Sequence, residues 1–302
     1  MRTVAIIGVG NVGSTIAKDI IQYEYFDEIL LCDIDEDKVW AEKEDLKHSC
    51  IIQKKSISCY VASCEECSAA DIVIISASAK YYKGMQRKDF ANSSIQIVSS
   101  IISSLTRSNF RGIYIVVTNP VDLMTHFVLR RVRQSFNKVI GAGTILDTAR
   151  LKTELFTQGI DKTIDLVCIG EHGESLIVPF STIVAGTVEK DIHKIYNISN
   201  ELLPAICGIS NRIVESKKFT NWGISASVMR ILDAIVNDAR IPLSVSHMVH
   251  KPYLNDMICF GYPATIGTEG IINEISLDLL KNEQQFLQEL VVKSNQKFVL
   301  GV

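Results

Sequence analysis

The stretch Val4-Ala5-Ile6-Ile7 runs straight into Gly8-Val9-Gly10-Asn11-Val12-Gly13, and a second apolar run, Ile29-Leu30-Leu31-Cys32, ends in Asp33. This order spells strand, glycine turn, helix, strand and acid, and few folds accommodate it. Gly8 permits a tight turn, Gly10 lets the backbone approach a pyrophosphate, and Gly13 lets the helix pack close to the strand. The helix then aims its unpaired N–H groups and positive dipole end at the phosphates. Asp33 lies 20 residues beyond Gly13, where a carboxylate accepts hydrogen bonds from ribose hydroxyls and repels a 2′-phosphate, so NAD is expected over NADP.

The surrounding pattern fits a sheet covered by helices. Apolar runs near 3–8, 28–33, 57–61, 71–76, 113–118 and 138–141 alternate with longer amphipathic stretches, as in a doubly wound parallel α/β sheet. Between the fourth and fifth runs the polar segment 77–88 carries Lys80, Tyr81, Tyr82, Lys83, Gly84, Gln86 and Arg87. It leaves the carboxyl end of the sheet, where ligands bind such folds, and reads as a lid. Beyond about residue 142 the pattern changes to α+β. Helices are expected at 145–158, 189–216, 222–239 and 282–299, with apolar runs near 163–169 and 175–185 and three strand-like runs at 243–249, 256–261 and 264–274. Two domains follow, residues 1–142 for the dinucleotide and 143–302 for the substrate.

Bulk properties remove other classes. With 31 basic and 34 acidic residues the charge is nearly balanced, so neither nucleic acid nor an anionic membrane is an expected partner. No charged segment precedes a long apolar stretch at the N-terminus, and no run spans a bilayer, which points to the cytoplasm. Eight cysteines at irregular spacing are expected as free thiols. Cys64-Glu65-Glu66-Cys67 has the spacing of a zinc or redox pair, but lacks a second pair or a thioredoxin-like context. No metal is expected.

Three segments carry candidate chemistry. Gly170-Glu171-His172-Gly173-Glu174 sets a histidine between glycines, which suits a proton acceptor for an alcohol and equally suits a surface loop. Asp147 and Arg150 in Gly143-Thr144-Ile145-Leu146-Asp147-Thr148-Ala149-Arg150 share a helix face. They read as a carboxylate-binding fork with an imidazole-orienting acid, or as a local ion pair. Thr118-Asn119-Pro120-Val121-Asp122 follows the fifth strand, so Asn119 can meet a substrate oxygen or simply turn the chain.

Taken together and in this order, GVGNVG, Asp33, Gly84-Met85-Gln86-Arg87, TNPVD, GTILDTAR and GEHGES resemble the L-lactate/malate dehydrogenase family over essentially the whole chain. The resemblance implies a Rossmann-type NAD domain followed by an α+β substrate domain. It also implies reversible hydride transfer between NADH and a 2-keto acid, with pyruvate and L-lactate the first expectation. Within it His172 is the proton acceptor held by Asp147, Arg150 grips the substrate carboxylate, and Arg87 on a closing loop polarises the carbonyl. Asn119 and Thr220 help to position the substrate. Gly8, Gly10, Val12, Gly13, Asp33, Ser78, Ala79, Val117, Asn119 and Ile224 contact the cofactor. A homodimer or homotetramer is implied.

The chain departs from the pattern in two places. The substrate-discriminating loop position, glutamine in lactate and arginine in malate members, is Tyr81 here. It cannot pair with a second carboxylate, which counts against malate, and an aromatic also suits the bulkier keto acids of the L-2-hydroxyisocaproate branch, whereas Gly84-Met85 is malate-like. Where members activated by fructose 1,6-bisphosphate carry an arginine and a histidine, this chain has Lys152 and Asp165, so no such activation is expected. Two other classes are weighed. Short-chain dehydrogenases need Tyr-x-x-x-Lys, which none of the nine tyrosines supplies. An NAD-binding redox sensor would lack the catalytic set.

Overall fold

The structure is a computed structural model describing residues 2–80, 86–160, 165–173, 175–182 and 192–300, without the side chains of Arg87 and 297–300. In the first half, strands β1 (Thr3–Ile7), β2 (Glu28–Cys32), β3 (Ser58–Val61), β4 (Ile72–Ile75), β5 (Ile113–Val116) and β6 (Val139–Gly141) form where the apolar runs predict them. They pair in parallel in the order β3-β2-β1-β4-β5-β6. Helices α1 (Asn11–Tyr23), α2 (Glu36–Gln53), α3 (Arg87–Arg107) and α4 (Val121–Leu129) make the crossovers.

The apolar runs are continuous because both faces of these strands are covered. Successive side chains point to opposite faces. Val4 and Ile6 of β1 join a core with Ile16 and Ile20 of α1 and Val39 of α2. Ala5 and Ile7 join a second core with Val98 and Ile102 of α3 and Met124 of α4. Each large aliphatic side chain so buried contributes about 1.5–3 kcal/mol. The chain reverses direction along the sheet between β1 and β4, and this switch point opens a crevice at the strands' carboxyl ends.

The second half continues the same sheet. It supplies α5 (Ile145–Thr157), β7 (Ile169–Glu171), β8 (Ser175–Ile177), α6 (Ile192–Lys217), α7 (Trp222–Val236), β9 (Ile241–Val249), β10 (Ile258–Gly267), β11 (Gly270–Glu274) and α8 (Lys281–Leu300). β9 meets β6 antiparallel at Ser246 and Gly141, and β10 lies between β9 and β7. One expectation is corrected here. The strand expected at 256–261 does not stop before Pro263, but continues to Gly267, in an unbroken ladder with β9 as far as Ile266. The reversal falls at Thr268-Glu269, where Gly270 adopts φ +91°. Pro263 pairs with Ser244 of β9 between the fully buried Tyr262 and Ala264, and its carbonyl accepts Ile275 N–H at 2.9 Å.

Helix α7 belongs to the second half by sequence and to the first by packing. Its Val228, Ile231 and Leu232 enter the core of α1 and β1. Polar clamps reinforce the contact: Asn221 Nδ2 donates to Thr15 Oγ1 at 2.7 Å, Ser225 Oγ to Asp19 Oδ2 at 2.7 Å, and Tyr25 Oη to Asp233 Oδ1 at 2.8 Å. Among the described residues no helix is long and apolar enough to cross a membrane.

Candidate active site

The glycine turn sits at the carboxyl end of β1. Gly8 has φ +95°, and a Cβ there would lie 2.4 Å from the backbone nitrogen of Ala77. A Cβ on Gly13 would lie 2.0 Å from the Gly8 carbonyl oxygen, so only glycine lets α1 approach β1 this closely. Gly10 differs, since the single atom near its Cβ position is Lys38 Nζ at 4.0 Å. Its backbone faces open space, and it caps α1 with no side-chain acceptor and no acid in the first turn. The positive end of the helix is therefore left for a ligand anion. Asp33, one residue past β2, anchors the turn by accepting from Val9 N–H at 2.8 Å. These residues fit a dinucleotide: an uncapped helix end for the pyrophosphate and a carboxylate at ribose distance in sequence.

Ser78 and Ala79 leave β4, and Ala79 N–H donates to the buried Ser94 Oγ at 3.2 Å. Val117 is buried beyond β5, while Asn119 is exposed beside Pro120. Val12 and Ile224, from the two halves of the chain, pack partly buried against one core. Thr220 stands half-buried just before α7. Tyr81, Gly84 and Met85 lie outside the described residues, as does the side chain of Arg87, whose backbone opens α3.

The proton-handling residues come together from three elements. His172 occupies the turn between β7 and β8, and its Nδ1 lies 2.6 Å from Asp147 Oδ2. Asp147 is fully buried in the first turn of α5, where the helix dipole favours its negative charge. Arg150, also buried, places Nη1 at 3.4 Å from Asp147 Oδ1. The helix-face pairing expected from sequence is thus real, and the imidazole 25 residues away completes it. Burial alone would lower the His172 pKa. The charge of Asp147, its hydrogen bond and the nearby Asp122 outweigh burial and hold the pKa above the usual 6.5. With Nδ1 engaged, Nε2 has no protein partner among the described residues. Arg150 likewise has no partner there but Asp147.

Asp122 and Ser246 were not singled out from sequence. Asp122 Oδ2 accepts the backbone N–H of His172 at 2.8 Å, and its Oδ1 accepts from Ser246 Oγ. This carboxylate ties α4, the His172 turn and β9 together. Burial pushes its pKa up to about 7, against the donors that favour ionisation. An acid at the start of the apolar helix VDLMTHFVL was the available signal. Ser246 carried none, because only the antiparallel junction of β6 and β9 brings it near.

At the phosphate-activation positions, Lys152 Nζ and Asp165 Oδ1 lie 3.7 Å apart, so the one cation is partnered by an acid. Among the described residues no group of three or more His, Cys, Asp or Glu is arranged to hold a metal ion.

A nucleotide-binding sheet joined to a partly exposed histidine held by a buried aspartate defines a dinucleotide-dependent oxidoreductase. Comparison with known proteins makes this specific. Residues 2–141 match the NAD-binding domain of lactate/malate dehydrogenases, and residues 144–296 match their α/β C-terminal domain. The chain belongs to the lactate/malate dehydrogenase family. It is 32% identical to L-lactate dehydrogenase 2 of Enterococcus faecalis, covering 98% of this chain and 96% of that protein. Identity to an L-lactate dehydrogenase of Geobacillus is 31%, over 94% and 92% of the two chains. Among solved structures, the ligand-bound minor L-lactate dehydrogenase of Enterococcus mundtii superposes with a TM-score of 0.88 at 28% identity, over 98% of this chain and 97% of the other. A lactate dehydrogenase from a deep-sea metagenome gives 0.86 at 27% identity, over 98% of each chain. The protein is an NAD-dependent 2-hydroxy acid dehydrogenase.

Proposed function

We propose that the protein interconverts pyruvate and L-lactate, with His172 as the proton-transfer group. The observation that carries this reading is His172 Nδ1 at 2.6 Å from the buried Asp147, which leaves Nε2, without a partner among the described residues, to exchange a proton with substrate. Arg150 supports it, since a buried guanidinium whose one described partner is Asp147 keeps donors for a substrate carboxylate. The cofactor, when bound, supplies a hydride to the carbonyl carbon of the keto acid. Protonated His172 gives its Nε2 proton to the developing alkoxide, and Asp147 stabilises the imidazolium beforehand. Arg87, at the start of α3, polarises the same oxygen, Asn119 and Thr220 orient the substrate, and Tyr81 contacts the substrate side chain. The names of the relatives support lactate over malate.

Residues 1–142 and 143–302 are proposed as the nucleotide and substrate domains. A cytoplasmic homodimer or homotetramer accords with the absence of a membrane-crossing helix among the described residues and with exposed apolar side chains on α2 such as Trp40, Ile51 and Ile52. The test is NADH oxidation with pyruvate, 2-oxoisocaproate and oxaloacetate, compared as kcat/KM. Preference for pyruvate is expected. Preference for 2-oxoisocaproate would replace this reading with a wider apolar pocket shaped by Tyr81, and preference for oxaloacetate would replace it with a malate enzyme.

A further inference from the structure

The Cys64-x-x-Cys67 motif acquires a third thiol in the fold. Cys32, the last residue of β2, places Sγ 3.5 Å from Cys64 Sγ, and Cys67 lies near enough to raise the Cys32 pKa. Cys67 is fully buried and Cys32 is 8% exposed, whereas Cys64 is reachable from solvent. We propose that Cys32 and Cys64 are a reversible oxidation site, and that the disulfide they form loosens the dinucleotide pocket. The site differs from the catalytic cluster, and its effect rests on the glycine turn being the cofactor site.

The coupling runs through the backbone. The Cys32 carbonyl accepts Gly8 N–H at 2.8 Å, and the next residue, Asp33, accepts Val9 N–H at 2.8 Å. Closing the sulfurs from 3.5 Å to a bond of about 2.05 Å displaces the end of β2, and both hydrogen bonds carry that displacement into the glycine turn. With hydrogen peroxide as oxidant, Cys64 Sγ attacks one peroxide oxygen, the O–O bond breaks, and a sulfenic acid and one water result. Cys32 Sγ then attacks that sulfur, the S–O bond breaks and a second water leaves. Two thiols lose two protons and two electrons, and one peroxide becomes two waters. For Cys32 the hydrogen bond from Cys64 lowers the pKa, but the nearby Cys67 and burial overcome it and push it up to about 12. Contact with Cys32, then burial, raises Cys64 as well. Little thiolate exists at neutral pH, so oxidation is slow and accelerates about tenfold per pH unit below the thiol pKa.

The experiment treats the full-length protein with hydrogen peroxide, then maps disulfide-linked peptides without reductant and measures the NADH Kd by fluorescence. A Cys32–Cys64 peptide, an increase of about tenfold in Kd, and reversal of both by dithiothreitol are expected. By linkage, NADH then resists oxidation by the same factor, about 30 mV in the thiol couple. Cys64→Ser is expected to bind NADH normally and to show no change with peroxide. No Cys32–Cys64 peptide, a link using Cys67 instead, or a linked protein with unchanged Kd would overturn the proposal. So would a peroxide effect that survives in Cys64→Ser. Peptide mapping is independent of the cofactor, so a reduced protein that fails to bind NADH would indict the cofactor site and not the thiol pair.

Discussion

Replacing Asp147 by asparagine removes a charge while keeping an amide oxygen where Nδ1 of His172 can still donate. The measured change is therefore electrostatic rather than a loss of orientation. With atoms 2.6 Å apart, the centres of the carboxylate and the imidazolium stand about 4 Å apart, and at an effective dielectric of about 20 their attraction is about 4 kcal/mol. About 1.4 kcal/mol corresponds to tenfold in rate, so the turnover of keto-acid reduction is expected to fall by about a thousandfold. Arg150 adds to the effect, because it loses its described partner and leaves an uncompensated positive charge beside the imidazole. The pH profile supplies a second sign. Reduction needs the imidazolium, so wild-type activity declines as pH rises through a His172 pKa held above 6.5, and in the variant this limb moves to lower pH. The assay is NADH oxidation at saturating keto acid across about pH 5–10, analysed for kcat and KM separately. A loss below about tenfold, or an alkaline limb that stays in place, would refute the assignment of Asp147 as the partner that sustains the charge.

Asp122→Asn leaves one amide oxygen where the carboxylate accepts from both the His172 amide and Ser246, and is expected to cost about 1–3 kcal/mol in denaturant unfolding and to lower kcat more than it raises KM. Gly13→Ala and Gly10→Ala should separate packing from ligand approach. The first forces a Cβ to 2.0 Å from Gly8 O and should destabilise the fold by about 1–3 kcal/mol or more, whereas the second should keep the melting temperature and weaken NADH binding; equal stability losses would contradict this division. Arg87→Ala should reduce turnover far more than substrate affinity, and steady-state kinetics with equal losses in both would exclude its action on the transition state. Fructose 1,6-bisphosphate should change kcat/KM by less than about twofold, because Asp165 partners Lys152 and repels phosphate; strong activation would show that another site receives the sugar.

Much of this molecule was legible from local pattern. The six parallel strands of the first half follow from apolar runs that stay apolar because both sheet faces are buried, and Gly8 and Gly13 reveal their turn and packing roles through spacing alone. Periodicity likewise places α5 with Asp147 and Arg150 on one face. Pattern failed where the decisive contact was between distant segments. The runs at 256–261 and 264–274 read as separate strands, yet pairing with β9 carries β10 from one into the other through Pro263. No local periodicity sets His172 against Asp147, a pairing implied only by resemblance, or Ser246 against Asp122, or Cys32 against Cys64, which are 25, 124 and 32 positions apart. Propensity and periodicity act over one or two turns of chain, and hence write themselves into the sequence. The proton-transfer pair, its supporting carboxylate and the thiol pair depend on strand order and helix docking. Their geometry and their shifted pKa values exist only once the sheet has closed around them.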